Sequence, residues 1–432
     1  MNRITKFAAA LALGSFVAVP AAYAAKDDKK KAEAEKPVKR NFSKEFQKAY
    51  GPAVAAFIQK KDPVAAAALF PTVEAAILNP DDRYEAGVFA FNLGSQMKDV
   101  ALQRKGVNLI VDSGVAPANL KPAYTFQQSL YFYNDKDYAT ATTKMLEAYN
   151  LGFRGSNIEV QISNAYRLQN NYPEAINWLG KAVEATKAAG GKPETQWFAQ
   201  ALNYATRSKN NEQILHWGKE MIKHDPRPET YHDALFQFQR IADLDNLESL
   251  SVLRLARLNK ALMFEHEFKQ YVEYADARRY PAEVAAVLDE GFAKGTISKN
   301  NLTFSEIYGS AQKLIPELSG TWAQDEKAAL AAPKGFTAML TGDALLSFGQ
   351  YARAKAMYEA ALAKGGIIDR EGVDQTDRAL TNLGIAQTHL KDWAGAKATF
   401  AKISGAKRKA IAEYWLIYID QQTAAPAPAP AA

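Results

Sequence analysis

A 34-residue spacing in the first half of the chain constrains the fold more than any other feature. Four residues recur at this spacing, and the pairs are Ser129 and Ser163, Tyr138 and Tyr172, Ala141 and Ala175, and Ala148 and Ala182. Residues 157–182, which carry the second copy, show helical spacing on both sides of a tight turn at 169–173. One such helix pair cannot bury its apolar face alone, so the period predicts a stack of helical hairpins.

This pattern resembles the tetratricopeptide repeat family, whose hairpins combine a small residue, an aromatic residue and alanines on their inner faces. The segments Asn-Asn-Tyr-Pro-Glu-Ala-Ile at 170–176 and Gly-Gln-Tyr-Ala-Arg-Ala-Lys at 349–355 are similar to the turn of that family. The resemblance implies an all-α fold, a right-handed α-solenoid of tetratricopeptide-like helix-turn-helix repeats, of an exported bacterial type.

The helical pattern predicts one repeat domain over residues 41–422. Its clearest units are residues 124–186, 195–223 and 336–403, and residues 302–331 are expected to form two helices separated at Pro316. A last helix at 407–421 has Ile411, Trp415 and Ile419 on one face and is expected to cap the final repeat. Residues 423–432 contain mainly Ala and Pro and are expected to form an extended tail.

The N-terminal segment predicts export. Residues 1–24 combine the cations Arg3 and Lys6, an apolar stretch too short to span a bilayer, and a small-residue cleavage pattern at 22–24. Residues 25–40 are highly charged and are expected to form a disordered linker, with weak contact to a membrane surface as an alternative. We therefore expect a periplasmic protein that does not span the membrane.

Charge and composition exclude several functional classes. The net charge is +6, but the leader and the linker account for about +5 of it, so the repeats do not predict a nucleic-acid-binding face. The chain has no cysteine, which excludes disulfides and thiol chemistry. No phosphate loop, nucleophile elbow or dinucleotide fingerprint is present. His216, His224 and His232 are spaced eight residues apart, but Asp225-Pro226 breaks the helix before His232, so the three are expected to be surface histidines and no cofactor or metal site is predicted.

The resemblance also indicates where a ligand would bind, because the first helix of each tetratricopeptide hairpin lines a concave groove. The positions that would face this groove are Gln127, Gln161, Asn164, Arg167, Gln200, Asn203, Arg207 and Gln239. An amide side chain can match one peptide unit, and arginine can bind a carboxylate through two parallel hydrogen bonds. Val160 and Ala199 stand where some family members carry a carboxylate-binding lysine, which argues against recognition of a free C-terminus.

These observations favour a non-catalytic scaffold or adaptor that binds a protein or peptide partner, with a role in cell-envelope assembly or transport. Solvated polar residues of a repeat surface would give the same pattern as the eight groove positions. One alternative is an enzyme acting on cell wall or carbohydrate, with Glu273 and Asp276 as paired carboxylates three residues apart on one helix. Another alternative is a small-ligand binding protein, which would require an enclosed pocket.

Overall fold

The computed structural model describes residues 39–424, and all regular structure in that range is helical. Apart from the helices, these residues form one isolated antiparallel bridge, between Ile368 and Asp374. The all-α solenoid prediction is therefore confirmed. The predicted leader, most of the charged linker and residues 425–432 of the predicted tail lie outside the described residues, whereas Thr423 belongs to the last helix.

The helices form two compact units, and the division falls between Pro193 and Glu194. This is the Gly-Gly-Lys-Pro insertion that interrupts the repeat spacing. The helices of unit 1 are α1 (Lys44–Val54, extended by a π-helical turn at Ala55–Gln59), α2 (Pro63–Ala75), α3 (Pro80–Met97), α4 (Val100–Asp112), α5 (Lys121–Asn134), α6 (Tyr138–Asn150), α7 (Ile158–Leu168) and α8 (Tyr172–Ala188).

One turn connects the two helices of several hairpins in both units. The first helix ends, one residue adopts a positive φ, and the next residue is an Asp or Asn whose side chain caps the second helix. In unit 1, Asp137 accepts a hydrogen bond from the Thr140 amide at 3.1 Å, and Asn171 does the same for Glu174 at 3.3 Å. Such caps satisfy amides that have no partner within the helix.

Small residues allow the paired helices of unit 1 to approach closely. Ser163 is buried and donates a hydrogen bond to the Ala175 carbonyl oxygen at 2.7 Å, which joins α7 to α8. At the crossing of α3 and α4, a methyl group added to Gly106 would lie 2.7 Å from the Gly87 carbonyl oxygen. These contacts leave no space for larger side chains at the crossings.

Unit 2 begins with the same hairpin pattern. Its helices are α9 (Thr195–Arg207), α10 (Asn211–His224), α11 (Pro228–Ile241), α12 (Asn246–Leu258), α13 (Glu265–Ala275), α14 (Pro281–Lys294), α15 (Leu302–Ala331), α16 (Phe336–Ser347), α17 (Tyr351–Lys364), α18 (Thr376–His389), α19 (Trp393–Phe400) and α20 (Ala406–Thr423).

The long helix α15 differs from the sequence expectation. It is continuous across Pro316, where two helices had been predicted. Proline removes one backbone hydrogen bond from a helix interior, but the remaining bonds on both sides keep this helix intact. Few of its side chains are buried, namely Phe304, Ala311 and Ala329.

The C-terminal helix α20 closes unit 2. Besides α18 and α19, it packs against α10 and α12, which lie far earlier in the chain. Trp415 is fully buried and its indole N–H donates to the Ser251 carbonyl oxygen at 3.2 Å, while the Gln421 amide donates to the Ile222 carbonyl oxygen at 2.8 Å. The helix therefore does more than cover the last hairpin, because it joins that hairpin to the beginning of the unit.

Candidate functional site

The predicted groove residues of unit 1 lie on α5 and α7. Gln127 is half-buried on α5, and Gln161 is half-buried near the start of α7, where its amide donates to the Ser156 carbonyl oxygen at 2.8 Å. Asn164 and Arg167 are also half-buried on α7. Neither makes a side-chain hydrogen bond or ion pair with another residue in the range 39–424. Their polar groups are therefore available to a binding partner.

The predicted groove residues of unit 2 are less available. Arg207 and Asn203 are exposed on α9, where the arginine donates to the asparagine side-chain oxygen at 2.9 Å. This hydrogen bond joins side chains one helical turn apart. It occupies the Asn203 side-chain oxygen, which would otherwise accept a hydrogen bond from a bound peptide. Gln200 and Gln239 each carry one buried side-chain atom that has no hydrogen-bond partner among the described residues. These atoms are the Gln200 Oε1 acceptor and the Gln239 Nε2 donor, and because both are buried they are not accessible to a binding partner.

A cavity of about 680 Å³ lies within unit 2 and was not predicted from the sequence. Helices α12, α14, α16 and α18 form most of its wall, together with the turn between α16 and α17. Its lining residues are Arg254, Arg257, Leu258, Lys260, Tyr271, Ala282, Glu283, Ala286, Glu290, Lys294, Leu346, Ser347, Phe348, Gly349, Tyr351, Ile385 and His389. This volume is within the range of sites that hold small molecules.

A buried ion pair forms one side of the cavity. Arg254 on α12 donates two hydrogen bonds to the carboxylate of Glu283 on α14, at 2.8 and 2.7 Å, and the Tyr271 hydroxyl donates a third at 2.7 Å. Burial disfavours the charged carboxylate, but Arg254 more than compensates and lowers the pKa of Glu283. Burial, reinforced by the charge of Glu283, raises the pKa of Tyr271. The pair is thus fully charged and fully hydrogen-bonded, which fixes α12 against α14.

A second buried pair continues this network behind the cavity. Arg378 on α18 binds Asp343 on α16, and the same carboxylate accepts hydrogen bonds from the Tyr358 hydroxyl at 2.6 Å and the Asn382 amide at 2.7 Å. Burial raises the pKa of Tyr280, which also receives a hydrogen bond from Arg378 at 3.3 Å, to about 12. The network links four helices of the unit through charged side chains that are at most 10% exposed.

The outer part of the cavity combines cations with an aromatic wall. Arg257 binds the exposed Glu290 at 2.6 Å, and Lys260 and Lys294 are exposed. The rings of Tyr351 and His389 are stacked, with centroids 4.2 Å apart and planes at 2°. Burial, together with the nearby Arg254 and Arg257, lowers the pKa of His389 to about 4. This histidine is therefore neutral near pH 7 and adds no charge to the cavity.

The carboxylates considered for catalysis do not form a pair on one helix. Helix α13 ends at Ala275, so Asp276 lies beyond it with a φ of 54° and binds its neighbour Arg278 at 2.7 Å. Glu273 is exposed and lies 3.8 Å from Lys269. Residues 39–424 contain no group of three or more potential ligands placed to hold a metal ion.

The histidines are partly buried rather than confined to the surface. His224 stacks on Phe198 with ring centroids 4.5 Å apart, and His232 binds the buried Glu267 at 2.7 Å. His216 is exposed and contacts the Trp217 ring. The interpretation of all three as surface histidines was therefore wrong for His224 and His232.

Sequence reasoning missed the cavity because its residues come mainly from four helices that are far apart in the chain. One signal was present. Arg254 lies four residues after Leu250 and four before Leu258, so it shares the apolar face of α12. A charged residue on such a face needs a buried partner, and the sequence did not indicate that Glu283 would supply it.

No helix in residues 39–424 combines the length and the apolar character that crossing a bilayer requires.

No protein-family model matches the chain, and no curated protein gives a significant match. The solved structure of Naa15/Naa10 bound to HypK-THB is similar to it with a TM-score of 0.41 and 14% identity, over 88% of this chain and 58% of that one. The apo form of RapI matches with a TM-score of 0.28 and 13% identity, over 64% and 99% of the two chains. The Cut9-Hcn1 hetero-tetramer of APC/C matches with a TM-score of 0.20 and 11% identity, over 85% and 66%.

The chain thus spans 58% of the first of these structures. At these identities and TM-scores the likeness says nothing about function.

Proposed function

We propose that this protein is a non-catalytic scaffold that binds a protein or peptide partner through the first helices of its hairpins. The observation that supports this most directly is the exposure of two polar side chains on α7. Its apolar face is buried in the hairpin, whereas Asn164 and Arg167 are half-exposed and make no side-chain hydrogen bond within the described part of the chain. An amide and a guanidinium in neighbouring helical turns can bind a peptide unit and a carboxylate.

The proposed location is the periplasm of a bacterial cell, with a role in envelope assembly or transport. This rests on the sequence of residues 1–24, where Arg3 and Lys6 precede an apolar stretch and a small-residue cleavage pattern. Fractionation of cells that express the C-terminally tagged chain tests it. Recovery of a shortened chain in the periplasmic fraction is expected, and a full-length chain that stays in the cytoplasm would contradict the proposed location.

A photo-crosslinking amino acid placed at Asn164 in living cells tests the scaffold proposal. Asn177, exposed on α8 in the same hairpin, is the matched control because it belongs to the second helix. We expect one protein partner to be captured at position 164 and not at 177. Equal capture at both positions, or none at either, would show that the first-helix surface is not the binding surface.

Substitution then measures the contribution of the two side chains. We expect Asn164→Ala combined with Arg167→Ala to weaken binding of the captured partner about tenfold or more, since each residue would lose a hydrogen-bonding contact. Hydrolysis of purified cell-wall fragments that is abolished by Glu273→Gln would instead support the enzyme alternative.

A further inference from the structure

The cavity of unit 2 differs from the groove surfaces above, because it is lined on several sides and its charges are unbalanced. Its lining contains four permanent cations, Arg254, Arg257, Lys260 and Lys294, but only two carboxylates, Glu283 and Glu290. The two arginines are paired with the two carboxylates. The two lysines account for the excess positive charge.

Neither lysine is neutralised by the protein. In the part of the chain that the structure describes, no carboxylate lies within 4.0 Å of the Lys260 or Lys294 ammonium group. Lys260 follows the end of α12 and Lys294 is the last residue of α14. The partial negative charge of a helix C-terminus favours a cation there, but it is only about half an elementary charge and leaves each site positive.

The rest of the lining is apolar or aromatic. The stacked Tyr351 and His389, together with Phe348, contribute flat surfaces, and Leu258, Leu346 and Ile385 contribute aliphatic ones. One side of the cavity is buried and carries Arg254 paired with Glu283. The other side is exposed and carries the two unpaired lysines, so the positive charge lies at the open side. Such a cavity would hold an apolar body inside and an anionic group near the opening.

From this arrangement we infer that unit 2 binds a small organic anion, a carboxylate or phosphate attached to a flat apolar body, with Lys260 and Lys294 contacting the anionic group. This site goes beyond the scaffold proposal, since it uses different residues, a different unit and a different class of ligand. It involves no bond making or breaking. The interaction is expected to weaken as salt concentration rises, because both lysines are exposed to solvent.

Calorimetric titration of the purified full chain tests the inference with three probes that share one aromatic body. The probes are 1-naphthyl phosphate, 1-naphthoate and the neutral 1-naphthamide. We expect at least one of the two anions to bind with a dissociation constant below about 1 mM and about tenfold more tightly than the amide. No measurable binding of either anion, or equal binding of anion and amide, would overturn the inference.

Variants assign the binding to this cavity. We expect Lys260→Gln with Lys294→Gln to weaken anion binding about tenfold, with little effect on the amide. Lys209→Gln with Lys223→Gln is the matched control, since both residues lie in or just after the last turn of a helix of the same unit and neither lines the cavity. Equal loss in the two double variants would place the anion elsewhere and overturn the assignment.

The two proposals can fail independently. Asn164→Ala with Arg167→Ala is expected to leave anion binding unchanged within about twofold, because neither residue is part of unit 2. Absence of partner capture at position 164 of the chain that carries no other substitution, with intact anion binding, would refute the scaffold proposal only. Partner capture at position 164 without anion binding would refute the cavity site only.

Discussion

The two units use the same helical hairpin, but their contacts reach different distances along the chain. In unit 1, helices pack against their close neighbours in sequence, and the longest hydrogen bond outside the helices joins Arg40 to the Val115 carbonyl oxygen, 75 residues away. In unit 2, Gln421 bonds to Ile222, 199 residues away. Unit 1 therefore behaves as a stack of neighbours, whereas unit 2 is closed by its last helix.

This difference has consequences for stability and for function. In a stack of neighbours, stability is approximately a sum over hairpins and adjacent interfaces, so a local defect stays local. A closed unit must form its most distant contacts before it is complete, which couples its first and last helices. Unit 2 also contains the cavity of about 680 Å³ described above.

The largest effect is expected from Trp415→Ala. Trp415 is fully buried on α20 and anchors it to α12, and truncating a buried tryptophan costs about 3–5 kcal/mol. Hydrogen exchange with mass spectrometry should show faster exchange in α10 and α12 as well as in α18–α20. Trp178→Ala in unit 1 is the control, and its effect should be restricted to α6–α8. Faster exchange only in α18–α20 of the Trp415 variant would contradict closure.

An intermediate effect is expected from Gly106→Ala in unit 1. The added methyl group would collide with the Phe91 backbone and lie 2.7 Å from the Gly87 carbonyl oxygen. Overpacking of this kind costs about 1–3 kcal/mol, and the faster hydrogen exchange should be confined to α3, α4 and their neighbours. Gly51→Ala is the control, because nothing lies within 4 Å of the added methyl group there. It should leave stability unchanged or raise it by up to about 1 kcal/mol.

The smallest effect is expected in the pH dependence of the stability of unit 2. The pKa of His389 is lowered to about 4, against about 6.5 in an unfolded chain, through burial and the charges of Arg254 and Arg257. Glu283 on α14 opposes this effect only partly. Because the unfolded chain takes up the proton first, the stabilising contribution is present above about pH 6.5 and is lost as the pH falls toward 4.

A loss of about 1 kcal/mol by pH 5.5 is expected in α12, α14 and α18, measured by hydrogen exchange at pH 7.0 and 5.5. His389→Phe, which keeps an aromatic ring beside Tyr351, should remove much of this pH dependence. His266→Phe is the control, since His266 is 76% exposed in the same unit. If both variants retained the full pH dependence, another titrating group would be responsible.

The sequence predicted the repeating element well because its determinants are local. The inner face of each hairpin follows from helical spacing, and Ser129, Ser163, Ala141 and Ala175 are all buried as the 34-residue period requires. The turns are also local, since an Asp or Asn such as Asp137 or Asn171 caps the helix that directly follows it. The two units divide directly after Gly190-Gly191-Lys192-Pro193, which interrupts the repeat spacing.

The exposed face of the first helix in the hairpin at 157–182 could also be predicted from the sequence. The family pattern placed Asn164 and Arg167 on α7 outside its buried face, and the structure finds both half-exposed. Whether they bind a partner remains a prediction. The Arg207–Asn203 hydrogen bond on α9 could not be anticipated with the same certainty, because it depends on side-chain conformation rather than on helix face.

Only the tertiary structure decided how unit 2 closes and which helices line its cavity. The partners of Arg254 and Arg378 come from other helices, and the contact between Arg254 and Asn382 spans 128 residues. Such contacts depend on how successive hairpins pack on one another, which no local sequence pattern encodes. The sequence by itself determined the hairpins and their spacing. Long-range packing determined the closing role of α20, the buried ion pairs and the cationic cavity, because these require helices that meet only after the whole unit has folded.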